Sequence, residues 1–151
     1  MEYRPFGRTG LEVSAVGFGC WEVGGGYGHV EADEFARAVG RALDLGVNCF
    51  DTAEGYGFGA SERALGQALG RRRDDAIVVT KFGMAYRDKP NMRDSSRRRV
   101  IESIDKSLEN LGTDRVDVYL VHWPDRLTPF EETMGALEDV VRQGKVRFVG
   151  L

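Results

Sequence analysis

Four ionisable side chains of different chemistry, Asp51, Tyr56, Lys81 and His122, stand at or shortly after apolar, β-branched runs of this chain. Together they form a set suited to acid–base work. A carboxylate beside a lysine keeps the ammonium charged, and a cation beside a phenol stabilises the phenolate, which makes the tyrosine a usable general acid. A neutral imidazole nearby can donate to a substrate oxygen and fix its orientation. Taken singly, each has a plainer role: Asp51 capping a turn, Tyr56 packing in a rim, Lys81 solvated, His122 satisfied in a core. Their joint arrival at the same end of neighbouring strands favours chemistry. Around them lie Cys20, Trp21 and the loop Gly24, Gly25 and Gly26 after one such run, and Trp123 and Pro124 after His122.

The elements that must position these groups are legible from hydrophobic period. Strands are expected at 13–19, 47–50, 77–80, 116–121 and 146–149. Between them the apolar residues recur every three or four positions. Val100, Ile101, Ile104, Leu108 and Leu111 make one stripe, with Ser95 or Ser96 placed to cap its start and Gly112 to end it. Phe35, Ala36, Val39, Ala42 and Leu43 before Gly46 repeat the scheme, as do Ala64, Leu65, Ala68 and Leu69 before Gly70, and Met134, Leu137, Val140 and Val141 before Gly144. Strand, helix, strand at this spacing is the mark of successive βα units with parallel strands, about four and a half of them. Both architectures that use the repeat, the doubly wound open sheet and the eight-unit barrel, put their chemistry at the C-terminal strand ends. No low-complexity linker divides residues 1–151, so one domain is expected.

Composition narrows the partners. A net charge of −3 offers no electrostatic footprint for nucleic acid. The basic runs at 71–73 and 97–99 read as a helix end and a solvated helix face. No long apolar run suggests a membrane anchor. Cys20 and Cys49 are far apart, which argues against a disulfide framework and for a reducing cytoplasm. Glycine is in excess, 20 residues of 151, about twice the usual ~7%. Much of it punctuates helix ends.

Other chemistries fit poorly. Gly55, Gly57 and Ala60 satisfy G-x-G-x-x-A, but four residues separate the strand from the first glycine, and no acid ends the next strand as a dinucleotide turn requires. Ser61 lacks the second glycine of a nucleophile elbow, with Arg63 in its place. No phosphate-binding G-x-x-x-x-G-K-[ST] occurs, and His29, His122, Cys20 and Cys49 have no metal-ligand spacing, so no metal is expected. A Cys20–His122 nucleophile pair is conceivable, but buried small hydrophobes are the better reading of both cysteines.

The stretch from Gly46 through Asp51-Thr52-Ala53-Glu54-Gly55-Tyr56-Gly57 to Ser61-Glu62 resembles the first signature of the aldo-keto reductase superfamily. Thr80-Lys81, then Leu108-Glu109-Asn110-Leu111-Gly112-Thr113-Asp114, then Asp117 through His122-Trp123-Pro124-Asp125 match further blocks of that family in order and spacing. The resemblance covers essentially the whole chain. It implies an α/β fold of TIM-type parallel βα repeats, here a partial barrel, and reduction of aldehydes or ketones to alcohols by hydride transfer from NADPH without a metal. By the same resemblance Tyr56 is the proton donor, Lys81 and Asp51 assist it, and His122 positions the carbonyl. Gly19, Cys20, Trp21 and Asp51 would lie against the cofactor, and Trp21, His122 and Trp123 against the substrate. Phe82 is either a further wall of that site or core.

Family members run to about twice this length. The resemblance places most cofactor contacts in the further half: a Ser-Asn pair after the fifth strand, an aromatic platform and basic groups for the 2′-phosphate. The expectation is therefore the N-terminal part, 1–151, of a longer barrel domain. The alternatives are a non-catalytic cofactor-binding or regulatory module, or an inactive remnant. Five strands would also leave two open edges and an uncovered inner face, which self-association or the N-terminal segment could cover.

Overall fold

The computed structural model describes residues 1–25, 28–85, 92–123 and 125–151. Gly26 and Pro124, both part of the sequence reading, lie outside the described residues. Five strands, β3 (Phe18–Gly19), β4 (Cys49–Asp51), β5 (Ile77–Phe82), β8 (Val116–Val121) and β9 (Val146–Gly150), form one sheet in the order β3-β4-β5-β8-β9, parallel throughout. The crossovers are α1 (Ala32–Asp44), α2 (Ala60–Leu69), α3 (Arg97–Leu111) and α4 (Phe130–Arg142). The strand order follows the chain with no reversal. A doubly wound sheet reverses at its switch point, so this is the winding of a barrel.

The expected strand at 13–19 is two elements. β1 (Tyr3–Pro5) and β2 (Glu12–Ser14) form an antiparallel hairpin, and only Phe18 and Gly19 join the parallel sheet. The break arises at Asn48. Its side chain accepts from Ser14 N–H (2.7 Å) and donates to the Glu12 carbonyl (2.9 Å), so it takes up the outer edge of the hairpin. Ser14 Oγ then turns the chain by donating to the Val16 carbonyl (2.7 Å). The hairpin plugs one end of the inner face, where Phe6 and Leu11 pack on Ile77, Val79, Val118, Leu120 and Phe148. The N-terminal segment thus covers part of the face that five strands would leave bare.

The opposite face carries the main core. Phe50, Val78, Phe82 and Tyr119 meet Val39, Leu65, Ile104, Leu137 and Val140 from the four helices, all without solvent exposure. Phe82 stacks on Tyr119 at 4.8 Å between centroids, which settles it as core and removes it from the substrate walls. Helix α3 starts and stops as expected: Ser96 Oγ accepts from Arg99 N–H, and Gly112 closes the helix in the left-handed region, φ 62°. A further two-residue ladder, β6 (Met84–Ala85) with β7 (Met92–Arg93), precedes α3 and has no periodic signal in the sequence.

Two glycine positions exist for close approach. A Cβ on Gly57 would stand 2.6 Å from the Gly24 carbonyl oxygen, so the loops after β3 and β4 touch through bare backbone. A Cβ on Gly66 would strike the Leu111 carbonyl, which brings α2 against the end of α3. The basic runs also do more than solvate. Arg99 is half-buried against Glu54 (2.9 Å), and Arg73 against Asp117 (3.0 Å). The solvated-face reading of 97–99 holds for the exposed Arg97 and Arg98 and is corrected at Arg99, where the first turn of α3 abuts the rim and pairs with a buried carboxylate.

Candidate active site

Register brings the expected residues together. Asp51 pairs with Val79, and Lys81 pairs with Leu120. Because side chains alternate along a strand, Asp51, Lys81 (two beyond Val79) and His122 (two beyond Leu120) all point to the inner face. Each step to the next strand climbs two residues, the stagger of a barrel rim.

Lys81 is the hub. Its Nζ donates to Asp51 Oδ1 at 2.6 Å, to the Thr52 carbonyl at 2.9 Å and to the Tyr56 hydroxyl at 3.4 Å. The lysine side chain is only 13% exposed whereas Asp51 is 44% exposed, so the ammonium is fixed from behind and the carboxylate faces the opening. Tyr56 meets His122 edge-on at 5.7 Å between ring centroids, and Trp21 lies 6.3 Å from Tyr56 with its ring tilted. Trp123 stacks on His122 at 5.8 Å. These rings, with Gly55, Met84 and Arg93, line a pocket of about 490 Å³.

Burial lowers the His122 pKa below its ordinary value, and the charges of Lys81 and Arg93 push the same way against Asp51. The imidazole is therefore neutral at pH 7. Its Nδ1 is buried with no partner among the described residues. Gly19 and Trp21 are exposed at the rim beside Asp51, as a ligand-facing role would need. Cys20 is not. Its side chain has no exposure, its N–H donates to the Asp51 carbonyl (2.9 Å), and its own carbonyl accepts from Ser61 Oγ (2.6 Å). Burial, with Asp51 and Glu22 adding to it, pushes its thiol up to about 12. Ser61, no nucleophile, is a buried strut that also bonds Thr52 (2.8 Å).

Three site residues carry no sequence signal of their own. Glu54 is buried, accepting from Gly83 N–H (3.0 Å), Met84 N–H (3.4 Å) and Arg99 Nη2 (2.9 Å), while Arg99 also donates to the Met84 carbonyl (2.6 Å). It clamps the loop after β5 to the loop that carries Tyr56. Met84 and Arg93 enter the pocket from the β6–β7 ladder. Only the ladder places them there.

The aldo/keto reductase family model matches residues 15–151. The chain belongs to the aldo/keto reductase family. It is 38% identical over its whole length to an aldo-keto reductase of Bacillus subtilis and to L-glyceraldehyde 3-phosphate reductase of Escherichia coli, covering 46% and 45% of those proteins. An aldo-keto reductase structure from Bacillus halodurans superposes with a TM-score of 0.89 at 34% identity, over 99% of this chain and 49% of that one. The chain thus spans about half the length of the aldo-keto reductases it matches, and its sheet is a partial barrel. Members of this family generally use NAD(P)H. Among the described residues no helix is long and apolar enough to cross a membrane.

Proposed function

We propose that the chain carries the acid–base machinery of an NADPH-dependent reductase of aldehydes or ketones, as the N-terminal part of its barrel domain. The observation that carries this reading is the Lys81 hub, whose ammonium reaches both Asp51 and the Tyr56 hydroxyl at the mouth of an aromatic pocket. The cofactor, when bound, supplies a hydride to the carbonyl carbon. Tyr56 gives its hydroxyl proton to the carbonyl oxygen, and Lys81 beside it stabilises the phenolate left behind until solvent reprotonates it. Asp51 holds and aims Lys81, and neutral His122 donates to the same oxygen and orients it. Trp21 and Trp123 wall the substrate.

The rim fits one end of the cofactor. Exposed Gly19 and Trp21 and the open carboxylate of Asp51 give a surface for the nicotinamide and its ribose. Cys20, being enclosed, supports that surface without touching the ligand. Free thiols at Cys20 and Cys49 suit a cytoplasmic setting.

Oxidation of NADPH with an activated aromatic aldehyde tests the reading. Tyr56→Phe should lower the rate by about 10²–10⁴-fold, the usual worth of a positioned acid; a rate equal to that of the variant rejects turnover. A second reading, a cofactor-binding or regulatory module without turnover, is supported by 38% identity to a probable voltage-gated potassium channel subunit beta of Oryza sativa. Saturable tryptophan quenching by NADPH without turnover would select it, and light scattering would reveal association through the sheet edges β3 and β9.

A further inference from the structure

Arg93 sits in the pocket wall with its guanidinium 4.2 Å above the ring of Trp123. Its Nη1 is buried from solvent and has no hydrogen-bond partner among the described residues. Two neighbouring carboxylates already have their cations: Asp51 has Lys81 at 2.6 Å, and Glu54 has Arg99 at 2.9 Å. Arg93 makes no ion pair among the described residues. A buried guanidinium N–H without an acceptor is costly, and stacking on an indole leaves the in-plane N–H fork free to meet a planar anion. At His122 the charges of Lys81 and Arg93 act in the same sense, against that of Asp51.

We propose that Arg93 is a specificity-determining residue that binds an anionic group, carboxylate or phosphate, on the carbonyl substrate while the carbonyl itself lies at Tyr56 and His122. This rests on the reductase reading for the fate of the carbonyl but not for the binding of the anion. The site would favour aldehydes or ketones bearing an acidic tail over neutral ones of the same length.

Two matched pairs test it in the intact protein: succinic semialdehyde against butanal, and glyceraldehyde 3-phosphate against glyceraldehyde. Calorimetric titration without cofactor should show one anionic aldehyde binding at least ~10-fold more tightly than its neutral counterpart, as a charge-assisted bond allows. The pair with the larger ratio identifies the anion as carboxylate or phosphate. Arg93→Met should remove the preference, read as the ratio within each pair, and Arg93→Lys should fall between, having charge without the fork. Raising the salt should shrink the wild-type preference, which needs no variant to fold.

Equal affinities within both pairs overturn the proposal. So does failure of both anionic aldehydes to bind, or a preference that survives Arg93→Met or is insensitive to salt. If Arg93→Met weakens NADPH binding and leaves the aldehyde preference intact, the anion is the cofactor's phosphate and the proposal falls. The reductase reading fails separately. An Arg93-dependent preference without Tyr56-dependent turnover sinks that reading alone, whereas turnover of both members of each pair with equal kcat/KM sinks only the anion site.

Discussion

At the scale of single residues, the site is set by burial and by neighbouring charge. His122 is held below its ordinary pKa first by burial and then by Lys81 and Arg93. A depressed histidine is neutral above the unfolded value of 6.5, and the native state loses stability as pH falls below it, because the unfolded chain takes the proton more readily. NMR titration of the two imidazoles, assigned with His29→Gln, should find His122 titrating below 6.5. Arg93→Met should raise its midpoint, whereas Asp51→Asn should lower it further. An upward move in the Asp51 variant would show that the electrostatic ordering is wrong. Cys20 gives a second check. With its thiol pushed up to about 12 and wholly enclosed, it should resist alkylation at pH 8 in the native protein and react readily in denaturant.

At the scale of elements, the rim is aligned by contacts that no motif announces. Glu54 joins three of them, the Tyr56 loop, the start of the β6–β7 ladder and the first turn of α3. Burial raises its pKa in spite of Arg99 and the Gly83 and Met84 N–H groups, so the fold holds this carboxylate at a desolvation cost. Glu54→Gln keeps the shape but removes the buried charge that pairs with Arg99. It should cost about 2–3 kcal/mol in urea unfolding, discounted from the ~3–5 of a fully buried pair because the arginine is part-exposed. It should also lower kcat/KM more than Glu102→Gln, an exposed control on α3. Gly66 makes the parallel case for packing. Alanine there gains ~1 kcal/mol of helix propensity but forces α2 off the Leu111 carbonyl, with an overpacking cost of ~1–3 kcal/mol. A net loss is expected in thermal melts, and a gain would show that the helices can part freely.

At the scale of the whole molecule, one carboxylate ties the far end of the sheet. Asp117 is buried; it accepts from Val78 N–H (2.9 Å) and pairs with Arg73 (3.0 Å) and Arg147 (2.7 Å), linking β5, β8, β9 and the turn after α2. Burial by itself would raise its pKa, but the Val78 N–H and the two arginines outweigh that and hold it below 3.8. Its contribution is present above 3.8 and is lost as pH falls through the lower native value. Asp117→Asn should cost about 3 kcal/mol at pH 7, and the gap to wild type should close in acid. A gap that stays constant down to pH 2 would exclude the ionised carboxylate as the tie. The hairpin acts at the same end, where Phe6 and Leu11 cover the inner face.

The sequence alone determined the βα repeat, the end of α3 at Gly112 and its start at Ser95 or Ser96, and offered Asp51, Tyr56, Lys81 and His122 as candidates, because period, capping and residue type are local properties of the chain; the structure chose Ser96 as the cap. It could not divide the run 13–19 into a hairpin strand and a sheet strand, since the agent of that break, Asn48, is 34 residues away from Ser14. Nor could it separate Phe82 as wall from Phe82 as core, a matter of which face it takes and what stacks there. Glu54, Met84 and Arg93 become site residues only when the loop after β5 folds back over the rim. The chemistry at this rim is thus written in local residue types, whereas its charge balance depends on pairings between distant segments, which only the tertiary structure decides.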